Sequence, residues 1–298
     1  MSRHITVIVN PASGRGRGAR RLPEIRRAFA AVGVTDVRTT AGKHDEMTLA
    51  RRAIEDGSTT LVACGGDGTI SNIANTIVCS GADVRLALVG AGTGNDFHKT
   101  IGAPAMDVPA TARLAVDGPD TRIDVGRIED KYFLNVSGFG FDMAVLEDVQ
   151  TIPWLSGAAL YNYSALRQLL RYRGVDIEIC TTGRCRRAHC LMLIIANARH
   201  FGGSFRIAPE ASVTDGQLDA VAIHDAGALR RARLFTHVMA GTHRRQPEVV
   251  FERADHFTLR FPAPPAYETD GEYNHAHAAD LTVTCVPRAL RVVTPALG

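Results

Sequence analysis

The sequence predicts an α/β + β protein, with an N-terminal α/β domain built on a parallel sheet and a C-terminal β-sandwich-like domain. From residue 4 to 126, apolar β-branched runs alternate with segments of helical periodicity, which is typical of a parallel sheet with crossover helices. Beyond that point most segments are strands separated by turn residues, as in antiparallel β structure. The 298 residues are enough for two such domains.

The N-terminal half divides into strands and helices that follow one another in order. HITVIVN is a β-branched strand, and the helical pattern of ARRLPEIRRAFAAVG ends at Gly33. TDVRTT is a short strand, DEMTLARRAIEDG a helix, TTLVACGG a strand, TISNIANTIVCSG a helix and VRLALVGAG another strand. We expect these strands to share one parallel sheet with helices on both faces.

The second half is predicted to be mostly antiparallel. Strands are expected in TRIDVGRIEDKYFLNVSGFGFD, VDIEICTTGRCRRAHCLMLIIANAR, GQLDAVAIHDA, HFTLRFP and LTVTCVP, with helices at 158–173 and 228–240. The first domain is predicted to span residues 1–125 and the second 126–287. The apolar tail 288–298 is predicted to return to the first domain.

Composition and charge limit the classes of protein to which this chain could belong. Apolar residues make up 45% of the chain and the formal net charge is only +3, so bulk charge does not indicate nucleic-acid binding. The N-terminus lacks a signal-peptide pattern, and the apolar runs are shorter than the roughly 18 residues of a membrane span. We therefore expect a cytoplasmic protein, with membrane contact that is at most peripheral. The six cysteines show neither zinc-site spacing nor the pattern of a disulfide scaffold.

Three predicted strands of the first half end in runs of small and polar residues: 10–14 (NPASG), 65–69 (GGDGT) and 90–96 (GAGTGND). Ligands of open parallel sheets bind beyond the carboxyl ends of the strands, so these turns are expected to form one site. Glycine lets backbone N–H groups approach a polyanion, and the following helix N-terminus adds donors and partial positive charge. Neither the P-loop pattern nor G-x-G-x-x-G is present. The pattern favours a phosphate-bearing ligand over purely structural turns.

One carboxylate, Asp67, lies within the second of these turns. A carboxylate beside a polyphosphate repels it unless a cation lies between them. The sequence therefore predicts a metal ion near Asp67, and we expect loss of this side chain to lower activity rather than stability.

The motifs together resemble the diacylglycerol kinase catalytic domain family. NPASG, GGDGT, GTGNDF at 92–97, DGQLD at 215–219 and DGE at 270–272 occur in the family's order along nearly the whole chain. GGDGT alone also occurs in NAD kinases and the wider phosphofructokinase-like group, and the combination is more specific. The resemblance implies a nucleotide-binding first domain, a lipid-substrate second domain and an ATP-dependent lipid kinase activity. It implies diacylglycerol as the acceptor and phosphatidic acid as the product.

The resemblance also implies site residues. The expected nucleotide contacts are Asn10, Pro11, Ser13, Gly14, Thr40, Gly65, Gly66, Asp67, Gly68, Thr69, Thr93, Asn95 and Asp96. Asp67 is expected near the ATP phosphates with Mg²⁺ and water between them, and Asp124 is expected to support this ion through water. Glu272 matches the general base that accepts the proton of the acceptor hydroxyl. A second, structural Mg²⁺ matches Asp215 with backbone oxygens of Ser212 and Gln217.

Several alternatives stay open at this point. The acceptor could be a sphingoid base or another long-chain alcohol, an NAD kinase is less favoured, and a nucleotide-binding regulator without catalysis is the alternative from another class. DG dipeptides such as those at 215–216 and 270–271 are also common in plain turns. A monomer and a homodimer are both compatible with the sequence.

Two further segments need explanation. His98 and Lys99 follow GTGNDF where the family usually has a small residue and an arginine. Segment 151–174, which includes Trp154, combines aromatic and apolar residues with arginines. It is the best candidate for membrane contact, the alternative being an amphipathic helix that covers the sheet.

Overall fold

The computed structural model describes residues 4–92, 94–103, 107–152, 157–203 and 205–294. The chain forms two compact units. The first comprises residues 1–125 together with 286–298, and the second comprises residues 126–285. Each unit buries its own set of apolar side chains, so each can be described by itself.

The first unit alternates strands with helices. Its strands are β1 (Ile5–Val9), β2 (Val37–Thr39), β3 (Thr60–Gly65), β4 (Arg85–Gly90) and the start of β5 (Asp120–Ile128). Its helices are α1 (Ser13–Ala30), α2 (Asp45–Glu55), α3 (Asp67–Ser80), α4 (Asp96–Ile101) and α5 (Val108–Asp117). Strands β4, β3, β1 and β2 are neighbours in that order and all pair in parallel, as predicted.

The apolar runs of β1, β3 and β4 are buried along their whole length. This explains why they lack the alternation of polar and apolar residues seen in half-exposed strands. On one face, Ile25 and Phe29 of α1 and Val108 of α5 pack with Val7 of β1. Ile8, which points to the other side of β1, is also fully buried.

The end of the chain belongs to the first unit. Strand β15 (Asp280–Val293) crosses from the second unit, and its residues Arg291 and Val292 pair in parallel with Arg85 and Leu86 of β4. Thr294 then donates its hydroxyl to Ile101 O at 2.8 Å. The predicted return of the tail to the first domain is therefore confirmed.

The second unit is built mainly from antiparallel strands. Its strands are β6 (Lys131–Phe133), β7 (Val136–Gly140), β8 (Val175–Thr181), β9 (Arg184–Ala196), β10 (Leu218–His224), β11 (Val249–Ala254), β12 (His256–Arg260), β13 (Ala266–Thr269), β14 (Glu272–His275) and the first part of β15. Its helices are α6 (Phe141–Gln150), α7 (Gly157–Arg171) and α8 (Ala228–Met239), with a 3₁₀ turn at His243–Arg245. The strand order is β14-β13-β7-β9-β8-β12-β15, with β10 on β9 and β11 on β10.

Two cores lie on opposite sides of β9. Leu193 and Ile195 belong to a core with Phe257 and Tyr267, whereas Ile194 belongs to a second core that α6 and α8 cover. Successive residues of a strand point to opposite faces, so one long apolar strand serves both cores. The predicted fold class, α/β followed by sandwich-like β structure, is confirmed.

The sequence analysis missed some elements and misread one boundary. It did not predict α5, α6 or β11, and it extended a strand to Asp142 although α6 begins at Phe141. The change of direction occurs at Gly140, whose φ of 108° is accessible mainly to glycine. Cys180 and Cys185 lie directly opposite each other in β8 and β9 and form a disulfide that spacing alone did not reveal.

Arg85 is a buried cation that connects several elements of the first unit. It is 3% exposed, and its guanidinium donates to Thr60 Oγ1, to Ala115 O at 2.7 Å and to Gly118 O at 3.1 Å. It also lies 3.5 Å from the Asp120 carboxylate. Loss of this side chain would leave buried acceptors without their donor.

We expect Arg85→Met to lower the free energy of unfolding by about 3 kcal/mol, because the buried acceptors on Thr60, Ala115 and Gly118 lose their donor. Urea denaturation measures the change. The matched control is Arg122→Met. Arg122 is half-exposed, and its ion pair with Asp83 should contribute less than about 1 kcal/mol to stability. Equal losses in both variants would contradict the assigned role.

Candidate active site

The three glycine-rich turns continue directly from neighbouring strands of the first unit. Asn10 N donates to Cys64 O at 2.9 Å, and Ala91 N donates to Gly65 O at 2.8 Å. Thr40 N likewise donates to Val9 O at 3.0 Å. The structure therefore brings the predicted segments 10–14, 65–69 and 90–96 and the predicted Thr40 to the same edge of the sheet.

Glycines allow the turns to approach one another closely. Gly14 has a φ of +58°, and a Cβ at this position would lie 2.0 Å from Ala91 O. A Cβ on Gly92 would lie 2.8 Å from Gly66 Cα. A Cβ on Gly68, in contrast, would meet nothing within 4 Å. Some of these glycines are therefore required by packing between turns, whereas Gly68 faces open space that a ligand can enter.

Helix α3 presents its N-terminus at this edge. It begins at Asp67, and its N-cap, Gly66, supplies no side-chain hydrogen bond to the first turn. The first amides of a helix have no partner within the helix, and the aligned peptide dipoles give this end a partial positive charge. The end of this 14-residue helix, beside the open space at Gly68, fits a phosphate group.

The Asp67 carboxylate connects the second turn to the third. Its Oδ2 accepts from Asn95 N at 3.0 Å and its Oδ1 accepts from Asp96 N at 2.8 Å. Burial raises the pKa of Asp67 above its usual range, and the two amide donors oppose that shift. Asp67 therefore has a structural role that the sequence analysis did not predict, and we expect its removal to lower the stability of the protein. Thr93, also predicted to bind nucleotide, lies outside the described residues.

The first turn is connected to the second through polar side chains. Asn10 Nδ2 donates to Thr69 Oγ1 at 2.9 Å, and Ser13 Oγ donates to Asn10 O at 2.8 Å. Pro11 accepts on its carbonyl oxygen from Ala19 N at 3.0 Å, at the start of the regular part of α1. The structure thus brings together residues from all the predicted nucleotide-contacting turns.

Two arginines of α1 were missed by the sequence analysis. Arg17 donates to Gly92 O at 2.9 Å, and Arg21 donates to Gly90 O at 3.1 Å. They are four residues apart, so they lie on the same face of the helix, directed at the third turn. The helical spacing of these arginines just after NPASG was the available signal, and the sequence analysis gave them no role in the site.

Asp124 of β5 lies just before the chain leaves the first unit, and it contacts the segment by which the chain returns. Its side chain is buried, and Oδ1 accepts from Arg288 N at 2.8 Å. Arg288 has a φ of 54°, so this contact fixes an unusual backbone conformation. The predicted support of a metal ion by Asp124 stays a prediction. In the part of the chain that the structure describes, no three His, Cys, Asp or Glu side chains are clustered as a ready-made metal site.

Glu272 follows a two-residue turn in the second unit. Asp270 and Gly271 have φ values of 50° and 87° and connect β13 to β14, as in a type I′ hairpin. The Asp270 carboxylate accepts from the amides of Leu134, Asn135 and Val136 at 2.7–3.1 Å. These three hydrogen bonds fix the position of the turn. Glu272, the first residue of β14, is half-exposed.

The predicted structural Mg²⁺ loop precedes β10. Asp215 Oδ1 accepts from Gln217 N at 3.1 Å, and Ser212 Oγ lies 3.2 Å from Thr214 Oγ1. This segment ends the long connection from β9 to β10, so it is not the turn of a tight hairpin. The guanidinium of Arg253 lies close to this loop, with its Nη1 3.9 Å from Asp215 Oδ2.

Helices α7 and α8 carry an exposed apolar surface. Among the described residues, the large apolar side chains that are most exposed all lie on these two helices: Tyr163, Leu166, Leu170, Leu229 and Met239. Trp154 lies outside the described residues. None of the helices that the structure describes is both long enough and apolar enough to cross a bilayer.

The inner face of α8 borders a small apolar cavity with a volume of about 30 Å³. Leu234 and Val238 of the helix line it together with Phe201 and Phe205 of the β9–β10 connection.

Comparisons with known proteins give a consistent result. The model of the diacylglycerol kinase catalytic domain matches residues 4–128, and that of the YegS C-terminal NAD kinase beta sandwich-like domain matches residues 135–294. A diacylglycerol kinase of Mycobacterium tuberculosis H37Rv is 31% identical, over 99% of this chain and 96% of the relative. A diacylglycerol kinase of Bacillus subtilis is 25% identical, over 90% and 89%. A Bacillus anthracis diacylglycerol kinase crystal structure has a TM-score of 0.74 at 18% identity, covering 99% and 97%.

His98, which departs from the family pattern, is a buried neutral histidine of α4. It is 1% exposed, and neither ring nitrogen has a hydrogen-bond partner among the described residues. Burial lowers the pKa of His98 to about 4.

We expect the protein to lose roughly 3 kcal/mol of stability at His98 as the pH falls from 6.5 to 4. In that range the unfolded chain binds a proton at this side chain and the folded chain does not. Unfolding curves measured across this range should show a smaller loss for His98→Leu. His277→Leu is the control, because the His277 side chain is 86% exposed. An unchanged pH dependence in His98→Leu would contradict the prediction.

Proposed function

Because the chain belongs to the diacylglycerol kinase catalytic domain family, we propose that this lipid kinase transfers the γ-phosphate of ATP to the hydroxyl of diacylglycerol and forms phosphatidic acid. The observation that carries the proposal is the arrangement of three glycine turns at one sheet edge, beside the uncapped N-terminus of α3. The name shared by the two relatives supports the choice of acceptor.

The first unit is proposed to bind the nucleotide through the residues assigned to it from the sequence. The amides at the start of α3 meet the phosphates, and the open space at Gly68 leaves room for them. Asn10 and Thr69, which already contact each other, orient the polar groups of the nucleotide. Asp67 keeps the third turn, including Asn95 and Asp96, in place while the phosphates bind.

We assign Asp67 and Asp124 to Mg²⁺, held through water and phosphate oxygens. When bound, the ion supplies neutralising charge between the Asp67 carboxylate and the phosphates. Both carboxylates already accept backbone N–H groups, which fixes their orientation. Asp215, with backbone oxygens of Ser212 and Gln217, is proposed to hold a second ion that stabilises its loop.

Glu272 is proposed as the general base for the acceptor hydroxyl. An alcohol loses its proton late, as its oxygen forms the bond to phosphorus, and a carboxylate can accept the proton at that stage. The type I′ turn and the three amides that bind Asp270 restrict the position of Glu272. Its half-exposed side chain is accessible to a substrate.

We propose that α7 and α8 contact an anionic bilayer. Tyr163, Leu166 and Leu170 are spaced three and four residues apart, so they form one exposed stripe on α7. Arg171 and Arg173 lie at the end of that helix and are exposed. Apolar side chains next to arginines are typical of helices that lie at the surface of anionic membranes.

The catalytic proposal is tested with radiolabelled ATP, Mg²⁺ and a panel of lipids in mixed micelles: diacylglycerol, sphingosine and ceramide. We expect phosphatidic acid to be the main product. Glu272→Gln should lower kcat by at least ~100-fold, since a missing general base costs that much, while calorimetry shows unchanged ADP binding. Glu210→Gln, at an exposed glutamate, is the control. Preferential phosphorylation of another lipid would refute the acceptor, and an unchanged kcat in Glu272→Gln would refute the base.

The membrane proposal is tested by sedimentation with vesicles that contain phosphatidylglycerol. The double variant Leu166→Ser/Leu170→Ser should bind at least ~10-fold more weakly, because two exposed leucines no longer enter the bilayer. Turnover of a short-chain, dispersed diacylglycerol should be unchanged. Arg171→Glu should weaken binding, whereas Arg184→Glu, an exposed arginine of β9, should not. Wild-type binding by the double variant would exclude this surface.

A further inference from the structure

Two carboxyl groups of the second unit converge beneath the turn that carries Glu272. A Cβ added to Gly138 of β7 would lie 2.6 Å from Asp142 Oδ2 and 3.0 Å from Glu268 Oε1. Both oxygens therefore border the small space that glycine leaves at this position. Asp142 comes from the first turn of α6, and Glu268 from β13, where it pairs with Gly138.

Neither carboxyl group has the partners that a buried charge requires. Glu268 is 2% exposed, and its Oε1 has no hydrogen-bond partner among the described residues. The same holds for both oxygens of Asp142, which are buried. No arginine, lysine or histidine of the described chain pairs with either group. Two unpaired negative charges this close in a buried site would be strongly unfavourable.

The surrounding elements supply no compensating cation. From the turn, the Asp270 carboxylate faces Glu268 and adds negative charge. From the segment after α7, Tyr172 lies near Asp142, and its hydroxyl would be 3.4 Å from a Cβ on Gly140. On α6, Glu147 accepts from Tyr273, and Asp148 is paired with Arg167. β7 and the adjoining part of β9 contribute no titratable side chain apart from Cys190.

We propose that Asp142 and Glu268 share one proton and that this proton keeps Glu272 in its working position. The proton forms an O–H···O hydrogen bond between Glu268 Oε1 and Asp142 Oδ2, so that the pair carries a single negative charge. The inference rests on the proposed role of Glu272 as the general base. Asp142 and Glu268 are positioning residues in this scheme, because they act on the turn rather than on the substrate.

The connection to Glu272 runs through the other oxygen of Glu268. Glu268 Oε2 accepts from Gly271 N, the residue directly before Glu272. While the proton is shared, Oε2 is free to hold that amide, and the turn is fixed. When the proton leaves to solvent, two adjacent carboxylates repel each other. Glu268 then moves and the Gly271 amide loses its acceptor.

The direction of the pH dependence follows from this arrangement. Burial raises the pKa of Asp142 and, together with the negative charge of Asp142, that of Glu268. The partial positive charges of the first amides of α6 oppose the shift at Asp142 only in part. The folded state binds this proton more tightly than the unfolded state does. The stability it contributes is therefore present at low pH and lost as the pH rises through the folded-state value.

The first test is infrared spectroscopy of the full-length protein without substrate. At neutral pH the wild type should show the C=O stretching band of a buried carboxylic acid, which disappears on alkaline titration. Glu268→Gln should lack this band, because a carboxamide cannot supply the shared proton. Glu272→Gln, the matched control, should keep it. Absence of the band from the wild type would overturn the inference, whichever lipid the enzyme phosphorylates.

The second test is the pH dependence of kcat from about pH 6 to about pH 9. The wild type should lose kcat on the alkaline side at the same pH at which the band disappears. Glu268→Gln and Asp142→Asn should each keep the acidic limb and lose the alkaline limb, because either change removes the repulsion. Wild-type profiles in both folded variants would show that the pair does not position Glu272. A change of acceptor lipid would leave this comparison intact.

Discussion

The parallel register of β1, β3 and β4 is the constraint on which the first unit depends. Val9 pairs with Cys64, and Gly65 pairs with Gly90, so that the strands end at the same level. The turns that follow must therefore lie side by side, and they continue the sheet's hydrogen bonding by one more step. Three short sequence segments that are far apart in the chain become one surface because of this register.

Once the turns are adjacent, their small residues have a double use. Gly14 and Gly92 allow backbone to lie against backbone, and the acid of the second turn binds amides of the third. The same lack of side chains leaves the start of α3 accessible. Close packing of the turns therefore requires glycine at positions 14 and 92, whereas access for a ligand favours it at position 68. A substitution at Gly14 or Gly92 would test packing, and one at Gly68 would test ligand binding.

Much of the fold and the location of the candidate site could be predicted from the sequence. Buried parallel strands are continuous apolar runs, and the turn motifs are local, so both could be recognised from short segments. Residues that depend on tertiary register could not. Arg17 and Arg21 gain their partners from the end of β4 and the turn after it, and Asp270 binds three amides of residues 134–136 where β7 begins. The pair formed by Asp142 and Glu268 requires knowledge that α6, itself missed, begins where β7 ends.

The last strand of the chain has a consequence for synthesis. One edge of β4 is covered by β3, and the other by residues 291–292, which are synthesised only after the second unit. During translation this edge of the apolar strand β4 therefore stays unpaired while the 160 residues of the second unit emerge from the ribosome. Until residues 291–292 pair with β4, a nascent chain of this enzyme exposes this edge to aggregation, and chaperone binding would be most useful in that interval.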